Sequence, residues 1–195
     1  IRNPKIKDDT LMKYIQGPDF PTGAIVYGDD GIEEYFRSGR GRLTVRARAS
    51  VERLSGDRQR IVVTEIPYQV NKNALIERIA GLIRDKKTED LSEVRDESDR
   101  DGMRIVIELK REVKPERILN YLYKYTQMQT TFGVILLALV DGEPKILSLK
   151  QMLLEFLDFR HNVVLRRIKF ELNKAEQRAH ILEGLKIALD NIDEI

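Results

Sequence analysis

Cysteine and tryptophan are absent from the chain, and histidine occurs only twice. Without thiols there is no disulfide framework and no thiolate metal site, so a reducing cytoplasmic setting is expected. His161 and His180 lie nineteen residues apart and in no HExxH arrangement, which gives zinc no ligand pair, so no metal site is expected. No run of about 18 apolar residues and no signal-peptide pattern occurs, so neither a membrane span nor a membrane partner is expected. Gly39 and Gly41 lack a downstream GK[ST], and no GxGxxG follows a strand, so nucleotide-binding loops are not supported. The two glycines are better suited to a tight turn before a strand.

What the chain does have is segregated charge. Residues 37–60 carry eight arginines and two acids, a local net of +6 in a chain whose total is +2. Within that segment GRGRLTVRARASV places Arg40, Arg42, Thr44, Arg46 and Arg48 at every second position. Leu43, Val45, Ala47, Ala49 and Val51 alternate with them, which is the period of a strand with one buried face. Arginines on such a strand stand roughly 6.6 Å apart, close to the phosphate spacing of a nucleic-acid strand. The pattern predicts a rail for a polyanion; the plainer reading is a solvated face whose charges discourage edge aggregation.

Elsewhere the chain alternates strand and helix signals. Residues 8–16 predict a short helix with Leu11, Tyr14 and Ile15 on one face, stopped by Gly17 and Pro18. Residues 17–23, GPDFPTG, must be irregular. A strand at 24–27 and a helix ending near Ser38 precede the arginine strand, which turns at SGDR into a second strand at 60–66, a predicted hairpin. A helix over 71–86, capped by Asn71, buries Leu75, Ile76, Ile79, Leu82 and Ile83. Strands at 91–97 and 103–109 follow, then a helix opened by Pro115 with Ile118, Leu119 and Leu122 inward, then an apolar strand at 131–140. The fold class is therefore α+β, a mixed sheet with ferredoxin-like βαββαβ order whose helices cover one face and leave the other open. The boundaries expected are a first unit over 1–147, containing helices and loops at 1–38, a basic hairpin at 39–66 and the ferredoxin-like part at 60–140. Long helices at 148–195 then begin a coiled coil, with apolar residues from Val164 to Ile192 in steps of three and four. Unbroken, that helix would reach roughly 70 Å, so a break or a projecting coiled coil is expected. The chain opens on Ile1, and Ile195 falls inside the helical pattern, which points to a piece of a longer polypeptide.

Bond-making chemistry finds little support. Tyr121 and Tyr123 fit packing at helical spacing. The acidic run RDESDRD, 95–101, could hold a divalent ion through Asp96, Glu97, Asp99 and Asp101, but the interleaved arginines and the spacing fit a charged hairpin tip. MRIVIEL at 103–109 offers no exposed aromatic for single-strand readout. On pattern alone, a non-enzymatic ferredoxin-like nucleic-acid-binding module with a dimerising coiled coil remains an alternative.

Six stretches together carry a resemblance: GPDFPTG at 17–23, GRGRLTVRARA at 39–49, EIPYQVNK at 65–72, RDESDRDGMRIVIELKR at 95–111, LNYLYKYT at 119–126 and FELNKAEQRAHILEGLKIALDNID at 170–193. They resemble the A subunits of bacterial type IIA DNA topoisomerases, the DNA gyrase branch first and topoisomerase IV as its sibling. LVDGEPKILSLK at 139–150 is more similar to the gyrase version, whereas LNYLYKYT leans toward the sibling. The resemblance implies the tower region of a DNA breakage-rejoining core, followed by helices that lead to an exit gate. It implies an ATP-dependent isomerase that changes DNA topology only as a whole. Its parts would be double-stranded DNA, a B subunit supplying ATP and Mg2+ chemistry, and a homodimer of A subunits in an A2B2 assembly. The cleaving tyrosine would lie upstream of residue 1 in an arginine-tyrosine-threonine context. No catalytic residue is then expected here, Lys124-Tyr125-Thr126 is only an echo, and the chain alone would be inactive. Lys72, in EIPYQVNK, joins Arg40, Arg42, Thr44, Arg46 and Arg48 as an expected DNA contact.

Overall fold

The computed structural model describes residues 3, 5–56, 58–85 and 88–192. In chain order the elements are α1 (Asp8–Met12), β1 (Ile25–Tyr27), α2 (Asp30–Ser38), β2 (Arg40–Arg46), β3 (Arg48–Arg53), β4 (Gln59–Glu65), α3 (Lys72–Arg84), β5 (Leu91–Asp96), β6 (Ile105–Leu109), α4 (Pro115–Tyr125), β7 (Gln129–Ile135), β8 (Leu137–Val140), β9 (Glu143–Ile146) and α5 (Leu149–Asp190). The α+β class holds. A mixed sheet does not: every described pairing is antiparallel, in sheets ordered β1-β2-β7, β3-β4-β6-β5 and β8-β9.

Local signals in the middle of the chain act as expected. The Asn71 side chain accepts a hydrogen bond from the Ala74 N–H and starts α3, and Pro115 starts α4. Their inward stripes, with Leu75, Ile79 and Leu82 from α3 and Ile118 and Leu122 from α4, pack on Ile61, Val63, Ile105 and Ile107 of the larger sheet. Removing such side chains from water at about 25 cal/mol per Å² makes this the main stabilising contact of the fold. A second core lies under the smaller sheet, where Leu43 and Val45 meet Ile32, Tyr35 and Phe36 of α2.

The ferredoxin-like order is only partly realised. β4, β6 and β5 are neighbours as expected, but β7 pairs with β2 in the smaller sheet, and β3 occupies the edge beside β4. The predicted arginine strand is interrupted at Ala47, whose N–H still bonds the Met128 carbonyl at 2.7 Å in step with the β2–β7 pairing. Past the interruption, a bulge between Arg48 and Ala49 shifts the register and bends the chain. The basic hairpin of 39–66 is therefore split, since only Arg48–Arg53 turns back onto Gln59–Glu65. Asp57 of the SGDR turn lies outside the described residues. A five-residue hairpin loop makes β3–β4 pairing local, so β3 claims the edge that the longer-range β7 would otherwise fill.

Other departures have similar causes. Val51, expected inside, is 42% exposed on the edge strand β3. α1 ends at Met12, and Tyr14 is 78% exposed instead of facing inward. The expected strand at 131–140 breaks at Leu136, whose N–H bonds the Gly39 carbonyl, and it is not buried on both faces, since Ile135, Leu137 and Leu139 are exposed. DGEPK is not only a turn: Asp141 and Gly142, both at positive φ, close the β8–β9 hairpin. From Ser148, whose capping box starts it, α5 runs unbroken for 42 residues, about 63 Å, with no buried residue. The expected break is therefore absent from α5.

Candidate nucleic-acid interface

β2 is the middle strand of the smaller sheet, so its outward residues have neighbours on both sides. Register places Arg40 opposite Ile135, Arg42 opposite Gly133, Thr44 between Tyr27 and Thr131, and Arg46 between Ile25 and Gln129. Leu43 and Val45 point the other way and are buried. The predicted alternation is thus correct for β2, and it makes a flat face with a cationic column down its centre. Gly133, opposite Arg42, adds no side chain to that face.

Gly39 and Gly41 set the first arginine, each in its own way. Gly39 ends α2 at φ 77, a left-handed conformation that L side chains adopt poorly. A Cβ on Gly41 would come within 2.6 Å of the Gly31 carbonyl, so the start of α2 can lie directly against β2.

The column is not uniform. Arg40 and Arg42 are exposed and carry no ion pair among the described residues. Arg46 is half-buried: its guanidinium lies 3.6 Å above the Tyr27 ring and 5.0 Å from the Tyr123 ring, and its Nε donates to Gln129 Oε1 at 2.6 Å. Tyr123 in turn donates its hydroxyl to the Ala47 carbonyl at 3.2 Å, and burial pushes that hydroxyl's pKa up. A residue expected only to pack thereby anchors the bend of the rail. Tyr121 packs at the edge of the larger core, tilted against Tyr125 with ring centroids 4.5 Å apart. Arg48 belongs to the other sheet, where its Nε pairs with Glu65 Oε1 at 3.0 Å. Lys72 lies on α3, and its Nζ sits 2.7 Å from Asp96, away from the column's strand.

The open face of the larger sheet, left uncovered by the helices as expected, carries its own ion pairs. Glu52, Arg60, Glu93, Arg95 and Glu108 flank the buried Val62 and Val106, with Arg60–Glu52 at 2.7 Å and Arg95–Glu108 at 2.7 Å. Arg104, then Arg60, hold the Glu52 carboxyl below the usual carboxylate range. Such a lattice offers a polyanion no net positive charge. The acidic run is the charged hairpin tip expected from sequence: Asp96 binds Lys72 and Ser98, Glu97 binds Arg104, and Asp99 accepts from the Asp101 N–H.

Arg40, Arg42, Thr44 and Arg46 were legible as alternation. Tyr27, Gln129 and Thr131 were not, because nothing in the local pattern says which distant strand lies beside β2. The AIVY segment carried the one usable signal, an outward tyrosine in a short strand.

A family model described as the A subunit of DNA gyrase/topoisomerase IV matches residues 1–195. Among curated proteins the chain is 53% identical to the DNA gyrase A subunit of Clostridium acetobutylicum over 195 residues, covering all of this chain and 24% of that protein. Against the DNA gyrase A subunit of Halalkalibacterium halodurans the identity is 55%, with 100% and 23% covered. For that of Pseudomonas aeruginosa it is 54%, with 99% and 21% covered. The chain spans about a quarter of the length of these relatives or less.

Proposed function

Because the chain belongs to the DNA gyrase/topoisomerase IV A-subunit family, we propose that it is the DNA-gripping part of a gyrase-type A subunit. The observation that carries this is the central column of Arg40, Arg42 and Arg46 on a flat sheet face. The column meets the phosphates of a duplex and leaves the base edges alone. Thr44 and Thr131 supply hydroxyl donors beside it, and Arg46, held between two rings, offers its Nη groups without first being ordered. Contacts of this kind add affinity without base preference, which suits an enzyme that acts on many sequences. α5 carries motion toward the exit gate of an A-subunit homodimer within an A2B2 enzyme in the cytoplasm. ATP and Mg2+ belong to the partner B subunit.

The test is a titration of duplex DNA at several salt concentrations. Three arginine–phosphate contacts predict a log–log slope of about −2.7. Arg42→Glu should weaken binding to every sequence alike and leave the melt within about 0.5 kcal/mol, as for an exposed surface site. Val45→Asp, with a carboxylate in the core, should unfold the smaller sheet. Affinity indifferent to salt, or an Arg42→Glu protein that binds as the parent does, would refute the assignment.

A further inference from the structure

Arg48 continues the basic alternation beyond the bend, yet it already has an anion. Glu65 Oε1 lies 3.0 Å from its Nε, and Glu65 Oε2 accepts a hydrogen bond from the Ala24 backbone N–H. The backbone that brings this N–H into place is unusual. Gly23 and Ala24 both have positive φ, +70 and +74, and a Cβ on Gly23 would fall within 2.5 Å of the carboxylate. An alanine in the left-handed region is strained and persists only where its surroundings hold it. Here the surroundings include the carboxylate and the turn that the Gly23 N–H closes onto the Phe20 carbonyl at 3.0 Å.

A guanidinium N–H and a backbone N–H converging on one acceptor-only group is also the donor set that binds a phosphodiester oxygen. Its place fits the column, since Ile25 pairs with Arg46 and Gly23 and Ala24 directly precede Ile25, at the end of the strand where the chain bends toward Arg48. Glu65 comes from the end of β4, opposite Arg48. We propose that the Glu65 carboxylate is an internal stand-in for a DNA phosphate, masking a further phosphodiester site formed by Arg48 and the Ala24 N–H. This rests on the smaller sheet being the DNA face. A duplex gripped by Arg40, Arg42 and Arg46 meets a closed site at its next contact. In the parent the carboxylate, only about one-third exposed, keeps the site closed, and the site opens to a phosphate once the charge on Glu65 is removed.

The experiment measures duplex affinity of the full 195-residue chain between about 50 and 200 mM salt. Glu65→Gln keeps an oxygen for the Ala24 N–H but gives up the charge that holds Arg48. Its slope should steepen by about 0.9, so that its affinity falls about 3.5-fold further than the parent's across that range. Arg48→Gln alone should leave the parent slope in place, and in the Glu65→Gln background it should restore it. A Glu65→Gln slope equal to the parent's overturns the proposal. So does a loss of about 0.9 in Arg48→Gln alone, because Arg48 would then already be on the DNA. If Glu65→Gln does not fold, the Arg48→Gln single variant decides, since it breaks no backbone bond. A parent affinity indifferent to salt overturns the DNA-face reading and this proposal together, whereas a steep parent slope unmoved at Glu65 overturns this proposal alone.

Discussion

Arg46 is where binding and folding compete for one side chain, and its removal has a predictable size. The guanidinium lies 3.6 Å above Tyr27 and 5.0 Å from Tyr123, and donates to Gln129 at 2.6 Å. A cation–π contact at a half-exposed site contributes about 0.5–1 kcal/mol, and a hydrogen bond from a charged donor about 1.5 kcal/mol. With the more distant ring counted at the low end, Arg46→Ala should destabilise by about 2–3 kcal/mol. For a chain of this length that is a melting shift of roughly 4–12 °C. Arg42→Ala is the control, because Arg42 faces solvent opposite Gly133 and should stay within about 0.5 kcal/mol.

Arg46→Lys separates the two roles. It keeps a charge for the phosphate but loses the planar face and the Nε donor, so its salt slope should match the parent's while its melting point falls by about half as much as for Arg46→Ala. A double-mutant cycle with Tyr27→Leu should show a coupling of about 0.5–1 kcal/mol. The reasoning fails if Arg46→Ala melts within a degree of the parent. Arg46 would then be an ordinary surface contact, and its place between the rings would carry no stability.

Gly31→Ala should be among the most damaging single substitutions, because its Cβ would lie 2.0 Å from the Arg42 backbone carbonyl. Separation of α2 from β2 would appear as a loss of about 1–3 kcal/mol in urea unfolding. Asp96 gives the acid limb of stability a defined owner: Lys72, then Ser98, lower its pKa from 3.8 to about 2. Its contribution is present above about pH 4 and is lost as the pH falls through about 2, so Asp96→Asn should be less stable near neutrality and converge with the parent in strong acid. The chain alone should neither cleave nor relax supercoiled plasmid, with or without Mg2+ and ATP, and a gel showing relaxation would contradict the division of labour proposed above.

Residues whose neighbours are close in sequence were legible in advance. The cap at Asn71, the start at Pro115, the stripes of α3 and α4, the alternation of β2 and the unbroken periodicity of α5 each follow from contacts within one turn or one pleat. The tertiary structure decided which strand lies beside which. The Ala47 N–H bonds Met128, eighty-one positions away, in step with the β2–β7 pairing, and the predicted strand divides between two sheets just beyond it. The tertiary structure also placed the arginine column in the smaller sheet, paired Arg48 with Glu65, and put Arg46 beside Tyr27 and Tyr123. Side-chain charge and period are properties of a segment, so sequence alone shows that a cationic strand exists. Its pairing partners are set by the burial of distant apolar faces, whose free energy depends on the whole fold and leaves no mark at spacing two or 3.6.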